Sequence, residues 1–497
     1  MTTQPQKKLH FVMIPFASQG HLIPMIDIAR LLAQRNAIVT IFTTPLNAVR
    51  FKSIIDRDIQ SRLSIRILEL QFPYAESGLP EGSESLDTLP SPSYRENLMY
   101  ALSLLQQQVE QHFQELKPNP TCIISDKNLV WTPEIARKFR VPRILFNGYG
   151  CFADLCAHYI HVSKIHESVE SDSEPFVVPE LPDRVELMRA QLSSAFNPES
   201  DPYLKALRVR IREAEEGAFG VVVNSFDDLE GEYVKEENKT ARGGKVWCVG
   251  PVSLRNEDEL DKAEKGTNKN KASNDEEKDR ILSWLDLWTQ GSVVYAFLGS
   301  MNCVTPPQLA ELGLGLEASK RPFVWVIRGA YRREEFENWL KEDGFEERIG
   351  KRGLLIRGWA PQVLIISHVA IGAFLTHCGW NSALERVCAS VPMVMWPLFG
   401  EQFYNEKFIV QVSKIGVRVG AEVVVPPGKE EKFGVLVKRD QIREAIEKVM
   451  DEGREGEERR VRAKKLAKAA KEAVEEGGSS YLNITSMLED VMQYMHA

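Results

Sequence analysis

The sequence lacks the features that mark several other classes of protein. No apolar run reaches the roughly 20 residues that a membrane-spanning helix needs, so we expect no membrane span. The start MTTQPQKK leads directly into an apolar run, and no signal peptide is expected. With 62 basic and 70 acidic residues, the net charge of −8 gives no basic footprint for nucleic acid. The seven cysteines show no CxxC spacing, which is typical of reduced thiols in the cytoplasm.

Three catalytic or metal-binding motifs are also missing or incomplete. No GxGxxG follows a strand, which excludes the usual fingerprint of a dinucleotide oxidoreductase. Ser18 in FASQG resembles a nucleophile elbow, but Phe16 stands where the leading glycine should be, so a serine hydrolase is not expected. Asp56-Arg57-Asp58 forms a DxD in a polar helical stretch without a flanking strand, and we interpret it as surface. We therefore expect no metal site.

The chain is long enough for two cores. Its 497 residues, 43% of them hydrophobic, suit two α/β domains. Apolar strand candidates alternate with helical stretches in both halves, which predicts parallel sheets with helices on both faces. The charged stretch 255–278 has no apolar periodicity and is typical of a linker. We predict a first domain over residues 1–250, a linker over 251–278, a second domain over 279–470 and a C-terminal helix over 471–497.

The segment from Trp359 to Gln402 reads as consecutive strand–loop–helix units. LLIRGWA, IGAFLTH and PMVMWP are apolar runs of strand length, and each is followed by polar residues that open a helix. A helix N-terminus presents unpaired N–H groups and a partial positive charge, which favours a diphosphate. Open α/β sheets bind ligands beyond the carboxyl ends of their strands. The segment therefore predicts a nucleotide crevice.

Two further residues follow predicted strands near the N-terminus. LHFVMIPF leads through a glycine turn into an amphipathic helix, which puts His21 at the carboxyl edge of a first sheet. A histidine there can act as a general base. The strand CIISD ends at Asp126, and a buried carboxylate at that edge would orient the imidazole and stabilise the imidazolium. A helix-capping or core histidine and a strand-end turn aspartate remain the alternatives.

The Trp359–Gln402 segment resembles the signature box of plant UDP-sugar-dependent glycosyltransferases of the GT-B fold. DKAEKG, RGWAPQ and GVLVK are similar to the triterpenoid, steroid and flavonoid branch. The resemblance implies two Rossmann-like, doubly wound parallel-sheet domains facing a central cleft, with the last helix crossing back to the first domain. It also implies inverting transfer of glucose from UDP-glucose to a hydroxyl of a bulky apolar small molecule. A cytoplasmic monomer is expected, with UDP-glucose as co-substrate and no cofactor.

The resemblance also implies a role for each candidate site residue. His21 would be the base and Asp126 its partner. The UDP-sugar would be bound by Ser300, Trp359, Ala360, Gln362, His377, Trp380, Asn381, Ser382, Glu385, Glu401 and Gln402. Within this set Trp359 would stack on uracil, Gln362 and Glu385 would hold the ribose, and Ser300, His377, Asn381 and Ser382 the diphosphate. Trp380, Glu401 and Gln402 would contact the sugar, and Gln402 favours glucose. The acceptor pocket would be lined by Phe16, Lys127, Trp131 and Phe399.

Two departures from the family pattern bear on these roles. Arg386 stands where the family usually has glycine, directly after Glu385, and we expect it on the solvent side of its helix rather than paired with Glu385. Lys127 stands among residues that are usually apolar, and it could lower the pKa of the His21–Asp126 pair if it points inward. A non-catalytic UDP-sugar-binding relative disabled by these residues, or an enzyme for another UDP-sugar, is the alternative.

Overall fold

A computed structural model describes residues 8–193, 196, 202–240, 242–255, 274–299, 304–328, 332–358 and 360–496. The chain divides into two compact units. The first unit takes Met1–Cys151, Asp201–Lys269 and Glu472–Ala497, and the second takes Phe152–Ser200 and Asn270–Lys471. This division differs from the predicted boundaries because residues 152–200 group with the second unit.

The described strands alternate with helices along the chain, as the apolar pattern predicted. Most are five or six residues long, which is the usual length in such sheets. They are β1 (His10–Ile14), β2 (Ile38–Thr43), β3 (Ile65–Glu69), β4 (Cys122–Asp126), β5 (Arg143–Asn147), β6 (Pro175–Val177), β7 (Glu186–Met188), β8 (Gly220–Val223), β9 (Lys245–Cys248), β10 (Val293–Phe297), β11 (Phe323–Ile327), β12 (Gly353–Arg357), β13 (Ile371–Thr376), β14 (Met393–Met395) and β15 (Gly416–Arg418).

The first unit contains a seven-stranded parallel sheet in the order β3-β2-β1-β4-β5-β8-β9. Both faces of its central strands are buried: Phe11 and Met13 join one core cluster, and Val12 and Ile14 join the other. The strand order reverses between β1 and β4, which pair in parallel. Ligands bind at the carboxyl ends of strands at such a switch point.

The second unit contains a six-stranded parallel sheet in the order β12-β11-β10-β13-β14-β15. Its switch point lies between β10 and β13. The alternate residues Ala373 and Leu375 join the large core cluster of this unit, while Phe374 between them stacks on Tyr295 of β10. A short antiparallel pair, β6 and β7, also belongs to this unit. The prediction of two parallel-sheet α/β domains is confirmed.

The α-helices lie between the strands, and their bounds set where each candidate site residue stands. In the first unit they are Gln19–Gln34, Pro45–Val49, Lys52–Gln60, Tyr74–Ser77, Arg95–Leu104, Gln106–Glu115, Thr132–Phe139, Pro202–Glu215, Asp227–Thr240 and Ser479–His496. Helix Cys151–Ser163 begins at the unit boundary, and the second unit has Asn274–Leu285, Pro306–Ala318, Arg333–Glu342, Phe345–Ile349, Gln362–Ser367, Trp380–Ala389, Gln402–Lys407, Arg439–Val449 and Arg454–Val474.

The predicted C-terminal helix and the predicted linker can be compared with these elements. Helix Ser479–His496 packs in the first unit, where Ile484, Met487 and Val491 join the core behind the sheet. Of the predicted linker 251–278, residues 256–273 lie outside the described residues, and helix Asn274–Leu285 begins inside its last part. No helix among the described residues is long and apolar enough to cross a bilayer.

Candidate active site

The first unit brings His21 and Asp126 together at its switch point. His21 lies in the first turn of the helix that follows β1, and Asp126 is the last residue of the neighbouring β4. His21 Nδ1 lies 2.6 Å from Asp126 Oδ2. The carboxylate is fully buried, while the imidazole side chain is 14% exposed. The hydrogen bond to the carboxylate places the proton on Nδ1, so Nε2 is the basic nitrogen of the ring.

The other oxygen of Asp126 is also held in place. Asp126 Oδ1 accepts a hydrogen bond from the Asn128 backbone N–H at 2.9 Å and another from Asn128 Nδ2 at 2.8 Å. A carboxylate fixed at both oxygens keeps one orientation and can hold the imidazole in one tautomer. This role of Asn128 was not predicted from the sequence.

The imidazole ring is positioned by a glycine and three aromatic side chains. A Cβ at Gly148, just beyond β5, would lie 2.5 Å from His21 Cε1 and 2.8 Å from Nδ1, so only glycine fits there. Phe16, Phe146 and Tyr149 meet the ring edge to face at centroid distances of 5.6, 6.3 and 6.2 Å. The histidine thus stands among aromatic rings, with the backbone of Gly148 close to one side of its own ring.

The predicted acceptor-pocket residues of the first unit have different surroundings. Phe16 lies beside His21 and is buried. Lys127 is buried as well, but its Nζ lies 3.8 Å from Glu215 Oε1 and 4.8 Å above the Tyr149 ring. Trp131 packs into the core, and its Nε1 has no hydrogen-bond partner among the described residues. Lys127 therefore has a carboxylate partner other than Asp126.

Residues 71–93 contain the helix Tyr74–Ser77 and are tied to the turn before His21. The Leu86 backbone N–H and Ser85 Oγ donate to the Ala17 carbonyl at 2.9 and 3.0 Å. Gln19 Nε2 donates to Asp87 Oδ2 at 3.0 Å. This segment therefore borders the turn that carries His21.

In the second unit, His377 follows β13 at the switch point. Its ring is wedged between two glycines: a Cβ at Gly299 would lie 2.7 Å from Cε1 and Nε2, and one at Gly379 would lie 2.6 Å from Nε2. The Nδ1 atom is buried without a partner among the described residues. Although part of the ring is accessible, burial lowers the pKa of His377 to about 4, so the ring is neutral near pH 7.

The predicted diphosphate residues Asn381 and Ser382 lie in the first turn of helix Trp380–Ala389, which begins just after His377. The first turn of a helix carries the positive end of the helix dipole. Asn405 Nδ2 donates to the Cys378 carbonyl at 2.9 Å and so fixes the turn before the helix. No pattern in the sequence pointed to Asn405.

Gln362 and Glu385, the two residues predicted to hold the ribose, are in contact with each other. Gln362, the first residue of its helix, donates from Nε2 to Glu385 Oε2 at 2.9 Å. The two residues come from neighbouring helices that follow β12 and β13. A carboxylate oxygen and an amide held side by side can serve two adjacent hydroxyl groups.

Gln402 is buried, and the oxygen of its side-chain amide is hydrogen-bonded to the backbone. Its Oε1 accepts hydrogen bonds from the Leu398 and Phe399 backbone N–H groups at 2.8 and 3.1 Å. The side chain therefore holds the turn between β14 and its own helix, and Nε2 is the part that can donate to a ligand. Glu401 precedes it at the start of that helix and is partly exposed.

The remaining predicted residues are placed as follows. Ser300 and Trp359 lie outside the described residues. Ala360 lies between β12 and Pro361 and is partly exposed. Trp380 is buried, with its ring 6.0 Å from that of Phe408. Phe399 packs against the core of the second unit and lines a groove with Trp396 and Phe433.

One of the sequence interpretations is wrong, and another holds only in part. Arg386 does not face solvent: it is fully buried, with Cζ 4.0 Å above the Phe374 ring. It stands on the sheet-facing side of helix Trp380–Ala389, opposite to the expected side. In the DxD, Asp56 is exposed as expected, but Asp58 is buried and accepts a hydrogen bond from Arg30 Nε at 2.6 Å. Among the described residues no three His, Cys, Asp or Glu side chains cluster as metal ligands.

Together these features define a class of protein. Each unit is a doubly wound parallel sheet, one with a His–Asp pair at its switch point and the other with a helix N-terminus and a Gln–Glu pair. This is the architecture of a GT-B glycosyltransferase.

Comparison with known proteins gives the family. A family model for UDP-glucoronosyl and UDP-glucosyl transferases matches residues 275–425. UDP-glycosyltransferase 73C3 of Arabidopsis thaliana is 50% identical over 493 residues, which cover 99% of this chain and 98% of that protein. The chain belongs to the plant UDP-glycosyltransferases of family 1. It is an enzyme that transfers sugar from a UDP-sugar to small-molecule acceptors.

Two solved structures share the fold. UGT73P12 of Glycyrrhiza uralensis, complexed with glycyrrhetinic acid 3-O-monoglucuronide, is 38% identical with a TM-score of 0.90, covering 98% of this chain and 96% of that chain. UGT89C1 of Arabidopsis thaliana, complexed with UDP-L-rhamnose, is 28% identical with a TM-score of 0.73, covering 98% of this chain and 100% of that chain.

Proposed function

We propose that the enzyme transfers glucose from UDP-glucose to a hydroxyl of a bulky, largely apolar plant metabolite, such as a triterpenoid, steroid or flavonoid, with inversion at the anomeric carbon. The observation that carries the proposal is the 2.6 Å bond between His21 Nδ1 and Asp126 Oδ2. A histidine oriented by a buried carboxylate is suited to take a proton from an acceptor hydroxyl near neutral pH.

The proposed step is a single displacement. The acceptor O–H gives its proton to His21 Nε2 while the oxygen forms a bond to C1 of the sugar. The bond from C1 to the phosphate oxygen breaks, and its electrons leave with UDP. Asp126 accepts the Nδ1–H bond throughout and stabilises the imidazolium as it forms. The sugar carbon passes through an oxocarbenium-like state, as in glycoside chemistry generally.

The departing diphosphate is proposed to be stabilised without a metal ion. The support is the first turn of helix Trp380–Ala389, whose N–H groups and dipole suit an anion. His377 stands before this turn as a neutral ring and can donate or accept one hydrogen bond. The test is turnover in the presence of a chelator, which should be unchanged. A loss that added magnesium restores would contradict the metal-free departure.

Glucose is proposed because the family resemblance implies that Gln402 contacts the sugar, and a glutamine at this position favours glucose. UGT89C1, with the same fold, was solved with UDP-L-rhamnose, so the fold alone does not fix the donor. Contacts to uracil and diphosphate are common to all UDP-sugars and cannot discriminate. Since Gln402 Oε1 is engaged by the turn, the discriminating group is Nε2. We expect UDP-glucose to react roughly tenfold to a hundredfold faster than UDP-galactose.

The apolar acceptor class is supported by the wall around His21. Phe16, Phe146 and Tyr149 surround the proposed base with aromatic faces rather than with groups that bind sugar hydroxyls. UGT73P12 was solved with glycyrrhetinic acid 3-O-monoglucuronide, a ligand of the proposed bulk. We further propose that the enzyme is a cytoplasmic monomer.

A panel of aglycones with UDP-glucose, assayed by UDP release, tests the proposal most directly. Triterpenoid, steroid or flavonoid hydroxyls should support turnover, and the product should be the β-glucoside, which NMR of the anomeric proton identifies. Activity confined to free sugars or proteins would contradict the acceptor class. An α-glucoside would contradict the inverting step, and equal rates with UDP-galactose would contradict the assignment of the donor.

A further inference from the structure

Arg386 is a buried cation without a protein counter-ion. The residue is fully buried in the last turn of helix Trp380–Ala389, on the side that packs on the sheet. None of its three guanidinium nitrogens has a hydrogen-bond partner among the described residues. A buried charge without a partner costs several kcal/mol, so such a group normally has a counter-ion or changes its charge.

The surroundings of the guanidinium are aromatic on one side and contain one further polar atom. Cζ lies 4.0 Å above the Phe374 ring and 5.7 Å from the Tyr295 ring, and these two rings stack on each other. The hydroxyl of Tyr295 is itself buried and has no hydrogen-bond partner among the described residues. Cation–π contact compensates part of the charge but leaves every N–H group unsatisfied.

The surroundings of Arg386 contain more hydrogen-bond donors than acceptors. Arginine offers five N–H donors and no acceptor, and the Tyr295 hydroxyl adds another donor. The nearest carboxylate along the helix, Glu385, hydrogen-bonds Gln362 and forms no ion pair with Arg386 within the described residues. Burial lowers the pKa of Arg386 to about 10, and the charge of the nearby Glu385 carboxylate opposes this effect only in part. The guanidinium therefore stays charged near pH 7.

We propose that Arg386 and the Tyr295 hydroxyl form a buried binding site for a small monovalent anion, with chloride as its ligand. A monatomic anion accepts several N–H and O–H donors at once and neutralises the charge, whereas a water molecule must also donate and carries no charge. A polyatomic anion of phosphate size does not suit a fully buried layer between a helix and a sheet. The site is separate from the proposed donor site, because Arg386 faces the sheet while Asn381 and Ser382 lie at the helix N-terminus.

Chloride-dependent stability of the full-length enzyme tests this proposal. Thermal unfolding is followed as potassium chloride replaces potassium gluconate from about 5 to about 500 mM at constant ionic strength. Binding to the native state alone should raise the melting temperature by about 3 °C over this range. Arg386→Met, which removes the charge and keeps much of the length, should show no chloride dependence. It should also melt higher than the unmutated enzyme at low chloride.

Two further variants separate the site from general effects of salt. Arg143→Met changes another buried arginine, one that has protein partners in Thr132 and the Ala214 carbonyl, and should keep the full chloride response. Tyr295→Phe removes only the hydroxyl and should reduce the response. This variant also serves as the test if Arg386→Met does not fold.

Crystals of the unmutated enzyme grown in bromide give an independent readout. The anomalous signal should show one bromide in contact with the Arg386 guanidinium. Identical chloride responses for the unmutated enzyme and Arg386→Met, or crystals without a bromide at this position, would overturn the proposal. None of these readouts depends on the identity of the donor or the acceptor.

Discussion

The two switch points of this enzyme are built in opposite ways. In the first unit, both oxygens of Asp126 have protein partners, and the ring of His21 is fixed by Asp126 and by the close approach of Gly148. In the second unit, His377 Nδ1 is buried without a partner among the described residues, and it stands just before the N-terminus of helix Trp380–Ala389. The proposed base is held by neighbouring protein groups, while the proposed nucleotide site has a buried polar atom that a ligand can satisfy.

This difference predicts how each unit should respond to change. Small displacements in the first unit should lower turnover with little effect on UDP binding, because the geometry of the base is complete without substrate. Changes in the second unit should alter donor choice or stability, because its polar groups depend on what binds there.

The largest effect is expected from His21→Ala. Without the base, kcat should fall by about 10³-fold, within the range measured for general-base removal. The UDP dissociation constant should stay the same, since His21 belongs to the other unit. His112→Ala, which removes a histidine from the surface of helix Gln106–Glu115, is the matched control and should keep full activity. Near-normal turnover by His21→Ala would remove the base from the proposed step.

A smaller loss is expected from Gly148→Ala, which tests the positioning of the base rather than its chemistry. The new Cβ would lie 2.5 Å from His21 Cε1, so the ring must move. A displacement of about 1 Å can lower the rate by about 10²-fold. Gly231→Ala is the control, because its nearest contact would be Asp227 Cβ at an ordinary 3.8 Å. Equal kcat for both variants would mean that the first unit tolerates movement of the ring.

The sequence predicted the elements of both switch points better than it predicted the contacts between them. Strand-length apolar runs that end in polar residues located His21, Asp126, His377 and Gln362, because the carboxyl edge of a parallel sheet follows from the order of elements alone. Gly148 follows β5 in the same way, and a glycine directly after a strand is the signal that could have identified it.

Arg386 shows what one sequence cannot supply. Its position in the helix is read easily, but the side that faces the sheet depends on the exact rotation of Trp380–Ala389 against β10 and β13. The prediction that a charged residue faces solvent is correct for most arginines and wrong here, because the Phe374 and Tyr295 rings accept a cation. The hydrogen bond that Gln402 Oε1 accepts from the Leu398 backbone N–H could not be predicted either, since it depends on backbone geometry.

The third prediction separates the two functions of Gln402. Gln402→Glu keeps oxygens that can accept from Leu398 and Phe399 but loses the amide donor. Its rate with UDP-glucose should fall about tenfold, the worth of one hydrogen bond, at unchanged UDP affinity. Gln402→Leu loses both functions and should also melt at a lower temperature. If Gln402→Glu keeps the preference for UDP-glucose over UDP-galactose, the amide nitrogen does not select the sugar.

The pH dependence of stability tests whether His377 is neutral in the free enzyme. Burial lowers the pKa of His377 to about 4 from its usual 6.5. Between these pH values the unfolded chain binds a proton that the native ring does not, so stability is lost as pH falls below 6.5. The loss attributable to this ring should be about 1–3 kcal/mol by pH 4.

Urea unfolding of the unmutated enzyme and of His377→Gln, at pH 7.5 and pH 5, measures that contribution as a difference. Other titrating groups, including the buried His10 and His166, act equally in both proteins and cancel. The unmutated enzyme should lose more stability than the variant on acidification. Saturating UDP should reduce the difference, because a phosphate beside the ring favours the imidazolium. Equal losses in both proteins without UDP would show that His377 has solvent or a partner in the free enzyme, and the contrast between the two switch points would then disappear.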